Sequence, residues 1–217
     1  MNPGFSTFDD MRRARRARQG TYTSWFRSAA IWPLLRTYVA ELGRPVTIWS
    51  GACASGEEAF SAAIMLYDND IDGEVIAHDV SSDLISEALR ARYRKSVVRD
   101  EVNARVAVSH FDQDDDARYW VVVGDHIRER VTFAVAELGV DDPPPCDIAL
   151  CRNVWRLLTA ERQQRAAGAV RSALAGNGRI VFGGTDFYAA DLSDHTPPVL
   201  RELFEPAEHP LIWAPKG

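Results

Sequence analysis

Apolar positions along the chain change period in a regular order. Ile31, Leu34, Leu35, Tyr38, Val39 and Leu42 recur at the spacing of one helical face, and Gly43 with Pro45 closes that helix. Ser24 or Ser28 is placed to cap it. A β-branched run, Val46-Thr47-Ile48-Trp49, then stops at Ser50-Gly51 and leads through small residues to Gly56 and an alanine-rich helical pattern ending near Leu66. Ile71-Asp72-Gly73 turns into a second strand, Glu74 to Ala77, and Ser81 or Ser82 caps a helix carrying Leu84, Ile85, Ala88 and Leu89. Tyr93 to Arg118 has no clean period and reads as irregular or short helix, exposed, ending in the acidic cluster Asp112 to Asp116. Tyr119 to Val123, the turn Gly124-Asp125 and Ile127 to Arg130 read as a hairpin or strand pair, and Val131 to Ala136 as a further strand.

Asp141 to Pro145 forms a rigid loop that neither element type can continue. Asp147 to Leu150 reads as a buried strand, and Thr159 caps a helix, Ala160 to Ala175, closed by Gly176-Asn177-Gly178. Arg179 to Gly184 and Leu211 to Trp213 complete the strands. Strands alternating with helical patterns predict an α/β fold with a doubly wound, mostly parallel sheet.

Composition changes this picture little. With 217 residues, 46% hydrophobic and 26% charged, the chain has the material for one sizeable domain. No run approaches a membrane span and no secretory leader is visible; the odd cysteine count, Cys53, Cys146 and Cys151, without a CxxC pair, favours reduced thiols over a disulfide framework or a metal site. The expectation is a cytoplasmic protein without a membrane partner. A net charge of −6 argues against a general affinity for nucleic acid. Arg12, Arg13, Arg15, Arg16 and Arg18 run against that balance, as a solvated arm or a contact for an acidic protein partner.

The stretch Val46 to Leu66 carries the candidate chemistry. Strand, small-residue loop and helix form the opening unit of an open α/β sheet, where ligands sit beyond the strand ends. A phosphate-binding loop needs Lys where Glu57 stands, and a dinucleotide fingerprint needs glycine where Cys53 stands. A carboxylate at such a loop suits a ligand that is cationic there, such as S-adenosylmethionine. The alternative is that Glu57 and Glu58 only compensate the helix dipole. Asp79 follows Gly56 at about the distance at which an acidic residue meets ribose hydroxyls. His78 beside it reads as a packing or capping residue.

Taken in order, TYTSWFR, IWSGACASGEEAFSAAIML, AHDVSSDLISEALRARY, VTFAVAEL, CDIALCRNV and GNGRIVFGGTD resemble the CheR-type methyltransferases, which methylate chemoreceptor glutamates with S-adenosylmethionine. The resemblance covers most of Thr21 to Asp186 and implies a Rossmann-like class I methyltransferase with a short antiparallel insertion. It divides the chain into an arginine-rich arm and covering helix, 1–43, and a cofactor-binding domain, 44–217, with the insertion near 94–130, where the family docks on the receptor or its tethering tail. It implies that Thr23 and Arg27 lie over the cofactor, Arg27 at the methyl-transfer site. It further implies a cofactor site of Gly51, Ala52, Glu57, Asp79, Val80, Glu137, Leu138, Arg152 and Asn153, with Glu57 at the amino end and Asp79 on the ribose. Glu58 keeps the helix-dipole role.

Three departures from the family pattern matter. Ala59 replaces a proline after GEE, Leu157 stands where a tyrosine projects toward the acceptor, and the family's amino-terminal helical domain is largely missing, so the form is a shortened one. The expected activity is methylation of a carboxylate, in a protein glutamate or a small-molecule acid. The alternatives are a small-molecule O- or N-methyltransferase and a module that binds S-adenosylmethionine without turnover.

Overall fold

The computed structural model describes residues 23–187 and 194–217; the arginine run lies outside them. In chain order the elements are α1 (Ile31–Leu42), β1 (Val46–Gly51), α2 (Glu57–Tyr67), β2 (Gly73–Asp79), α3 (Ser82–Arg90), β3 (Arg92–Arg94), α4 (Lys95–Glu101), α5 (Ala104–His110), β4 (Phe111–Gln113), β5 (Trp120–Val123), α6 (Asp125–Arg128), β6 (Val131–Val135), β7 (Cys146–Leu150), α7 (Ala160–Ala173), β8 (Leu174–Val181), α8 (Pro198–Leu203), β9 (Phe204–His209) and β10 (Ile212–Pro215).

Seven strands form one sheet in the order β6-β2-β1-β7-β8-β10-β9. β6, β2, β1, β7 and β8 run parallel, and β10 is antiparallel to both neighbours. β1 lies between β2 and β7, so the chain order reverses on either side of it. That reversal is the switch point at which open α/β sheets bind ligands. The middle of the sheet is covered on both faces: β7 is buried at every position and β1 at all but Thr47. α2 is buried from Glu57 to Leu66, which explains its small residues: Ala59, Ala62 and Ala63 let it lie close against its neighbours.

A second sheet, β3-β5-β4, is antiparallel throughout. The structure corrects four expectations. Residues 93–118 are not uniformly exposed: Tyr93, Val98, Val102, Val106 and Phe111 are buried and belong to the main core. Ile127 to Arg130 does not pair back on β5 as a strand; Asp125–Arg128 is a short helix that buries Ile127. The first helix is capped by neither serine, because its N-cap is Ala30, and Ser28 turns its hydroxyl to Arg152 instead. The final long helix also stops earlier than the glycines suggest, at Ala173, and Gly176-Asn177-Gly178 lie within β8. The caps at Ser81 and Thr159 are formed as read from the sequence.

Candidate functional site at the ends of the parallel strands

The loop after β1 is held by the end of β2. The Ala52 and Cys53 N–H groups both donate to the His78 carbonyl, at 2.8 and 2.9 Å. Asp79, buried at 7% exposure, accepts from Ala54 N–H on one oxygen and Ser81 N–H on the other, each at 2.9 Å. The loop backbone is strained: φ is 91° at Ala52 and 49° at Ala54. Gly56 follows at φ 94°, where a Cβ would stand 3.0 Å from Ala88 Cβ and 3.1 Å from both Phe133 and the Tyr93 hydroxyl. Tyr93 fixes the loop from the second sheet by donating to the Ser55 carbonyl at 2.6 Å.

The two glutamates that open α2 take different partners. Glu57, buried, accepts from the Ser55 hydroxyl at 2.8 Å, which turns its carboxylate back over the loop. Glu58 accepts from the Ser50 hydroxyl at 2.9 Å and from Arg152 Nη1 at 3.0 Å. Its role is therefore a buried ion pair across the sheet and not dipole compensation alone. The other guanidinium nitrogen, Nη2, donates to the Arg27 carbonyl at 2.8 Å and to Ser28 Oγ at 2.9 Å. Arg152 thus clips the segment bearing Arg27 to the strand ends. Phe26 and Ser28 on that segment also have positive φ, 45° and 59°.

Asn153 follows at φ 61°, with a buried side-chain oxygen that has no hydrogen-bond partner. Its N–H donates to Asp186, which also accepts from the N–H groups of Gly183 and Trp155. This nearly inaccessible carboxylate staples the loop after β7 to the loop after β8. Burial raises its pKa from 3.8 to about 6 against the pull of those three donors. A Cβ at Gly183 would collide with the Asn153 side chain at 2.3 Å.

The remaining residues implied by the resemblance divide. Thr23 and Arg27 are half-buried on the segment before α1, and Gly51 is buried with Ala52 beside it. Val80 is 62% exposed and Leu138 half-buried. The Glu137 carboxylate pairs with Arg162 of α7. Val135, 55% exposed and opposite Asp79 in the β2–β6 register, is an apolar residue beside the site that the sequence reading missed. Its only signal was a valine at a strand end. Asp186, Ser28 and Tyr93 were missed too, because their partners are distant in sequence.

Nucleophilic thiol chemistry finds no support here, since burial pushes the Cys53 and Cys151 thiols well above their usual range and Cys146 to about 12. His78 accepts from the Trp49 indole at 3.2 Å, and burial lowers its pKa, favouring the neutral ring. Among the described residues no helix is long and apolar enough to cross a membrane, and no group of three or more His, Cys, Asp or Glu side chains is arranged to hold a metal ion.

The chain is similar to known proteins. The protein named Cher3 of Pseudomonas putida is 29% identical over 182 residues, covering 78% of this chain and 63% of its own length. A chemotaxis protein methyltransferase of Listeria innocua is 26% identical over 178 residues, covering 76% of this chain and 64% of its own. The chain therefore spans less than two thirds of the length of these relatives. A TehB-like SAM-dependent methyltransferase from Corynebacterium glutamicum shares the fold, with a TM-score of 0.50 at 14% identity over 96% of this chain and 97% of its own. The family model for the CheR methyltransferase, SAM binding domain, matches residues 21–196, and the chain belongs to that family.

Proposed function

We propose that the chain is an S-adenosylmethionine-dependent methyltransferase whose acceptor is a carboxylate, in a protein glutamate or a small-molecule acid. One observation carries the cofactor half of this reading: two buried carboxylates, Glu57 and Asp79, flank a strained small-residue loop at the switch point of the sheet. Such a site repels phosphate and favours a cationic ligand. The residues present fit the cofactor. Asp79 has spent one acceptor position on each oxygen and retains capacity for a ribose diol. The buried Asn153 oxygen retains an unused acceptor position.

In this reading Glu57 balances the cationic amino group, Gly51 and Ala52 allow close backbone approach, and Val80, Val135 and Leu138 flank the adenine with Glu137 beside it. Thr23 and Arg27 cover the site, and Asn153 lines it. Arg152 acts by holding the covering segment through Arg27 and Ser28. The bound cofactor would supply a methyl group made electrophilic by its sulfonium.

A carboxylate acceptor is already ionised at neutral pH, so no general base is needed. In this reading the protein holds it in near-attack geometry, and Arg27, on the segment that Arg152 clips, orients it by a paired contact. Leu157, 54% exposed where the family has a tyrosine, favours a second reading with a small-molecule O- or N-acceptor.

Methyl-labelled cofactor incubated with acidic proteins and a metabolite library tests both readings. A base-labile methyl ester is expected. A base-stable product supports the second reading, and tight cofactor binding with no turnover on any acceptor overturns transfer altogether.

A further inference from the structure

The second sheet carries a pocket that the methyl-transfer reading does not use. It has a volume of about 700 Å³ and is lined from β3, α4, α5, β4 and β5 and the residues between them. Such a volume is of the size that holds a small ligand. Its apolar wall includes Val98, Val102, Phe111 and Val121, the first three buried. Phe111 packs edge-on against Trp25 at 5.0 Å, so this wall is continuous with the core and not a loose surface groove.

The polar lining is one-sided. Arg94, Lys95, Arg99 and Arg118 face one acidic lining residue, Asp112, in a chain whose net charge is −6. Part of the nearby acid is committed elsewhere: Asp114 forms a paired contact with Arg92, Asp100 pairs with Arg99, and Glu101 accepts from the Trp25 N–H. Among the described residues neither Lys95 nor Arg118 has a carboxylate within ion-pair distance. Both are exposed, at the mouth of an apolar chamber, and exposed Val108 and Tyr119 extend the apolar surface to it.

We propose that this pocket binds a small amphipathic carboxylate, with its hydrocarbon body against Val98, Val102, Phe111 and Val121 and its carboxylate at Lys95 and Arg118. Apolar burial supplies affinity, and the cationic mouth selects an anion over a neutral or cationic chain of the same length. A chamber walled by two helices and a sheet suits a compact ligand better than strand addition of a peptide, since the outer strands β3 and β4 have only three residues each. The proposal stands independently of the methyltransferase reading.

Calorimetric titration of the full chain with octanoate, octan-1-ol and octylamine tests it. Octanoate is expected to bind more tightly than the alcohol, and the amine least. Lys95→Glu with Arg118→Glu, both at exposed positions, should weaken octanoate about tenfold while leaving the alcohol unchanged. Val108→Glu, at a position 84% exposed, should weaken octanoate without affecting the thermal melt. Equal affinity for the three probes, or octanoate binding that is indifferent to the charge reversals, would overturn the assignment. So would an acidic peptide that binds at these residues when octanoate does not.

Discussion

Arg152 Nη1 donates to Glu58 Oε2 at 3.0 Å, with 2% and 11% of the two side chains exposed. This contact joins the loop after β7 to the first turn of α2 across β1, and it leaves Nη2 to hold the Arg27 carbonyl. The pair has a scaffold role and a site role at once. Removing the acid would leave a guanidinium in the interior without its counter-charge.

Glu58→Ala is therefore expected to destabilise the fold by about 3–5 kcal/mol, the usual cost of breaking a buried pair from one side. Dipole compensation alone would cost less than about 1 kcal/mol. Urea unfolding of Glu58→Ala, Arg152→Met and the double variant separates the two: the double loss should be well below the sum of the singles.

Asp186 should give the chain a pH-dependent stability term. Its folded pKa, about 6, lies above the ordinary value of 3.8, so between these values the folded state binds the proton more tightly than the unfolded chain does. The sign follows: this term adds stability as pH falls from about 6 toward 4, and ionisation above 6 costs about 3 kcal/mol relative to an unperturbed carboxyl. Asp186→Asn removes the titration but turns an amide donor toward backbone N–H groups, for a loss of about 1–3 kcal/mol. Denaturant midpoints at pH 5 and 7 should shift in the parent relative to the variant, and parallel shifts would refute the assignment.

Glu57→Gln keeps an acceptor for Ser55 and removes only the charge. Under the proposed function it should weaken S-adenosylmethionine binding by about tenfold to a hundredfold, the worth of a hydrogen bond to a charged group, with the thermal melt little changed. Isothermal titration measures this directly. Unchanged affinity would remove Glu57 from the site.

Much of the sheet was legible because its strands and helices differ in period, and the parallel order followed from their alternation. What could not be read were contacts between segments far apart in the chain. Nothing local to Glu58 announces Arg152, 94 residues away, so the acid looked like an ordinary helix start. Ser28 looked like a cap for the same reason: its actual partner is 124 residues away. Residues 93–118 looked exposed because short elements of mixed pattern bury alternate single side chains, leaving no period to detect. The acidic and small residues of the site were visible as types; their distribution between ligand and scaffold depends on partners that only the fold supplies.

Tyr93 gives the sharpest test of how the second sheet bears on the site. Its hydroxyl, in the interior, donates to the Ser55 carbonyl at 2.6 Å, two residues before Glu57 and one before the left-handed Gly56. Its ring meets Trp25 edge-on at 4.9 Å, so the covering segment and the loop share one anchor. Tyr93→Phe preserves the ring contact and deletes the donor, leaving a buried carbonyl without that partner at a cost of about 1–3 kcal/mol. If that bond sets the position of Ser55, and through its hydroxyl that of the Glu57 carboxylate, cofactor affinity should fall along with stability. Loss of stability with unchanged cofactor affinity would mean that the loop is held by Asp79 and the His78 carbonyl alone, and that the second sheet is only packed beside it.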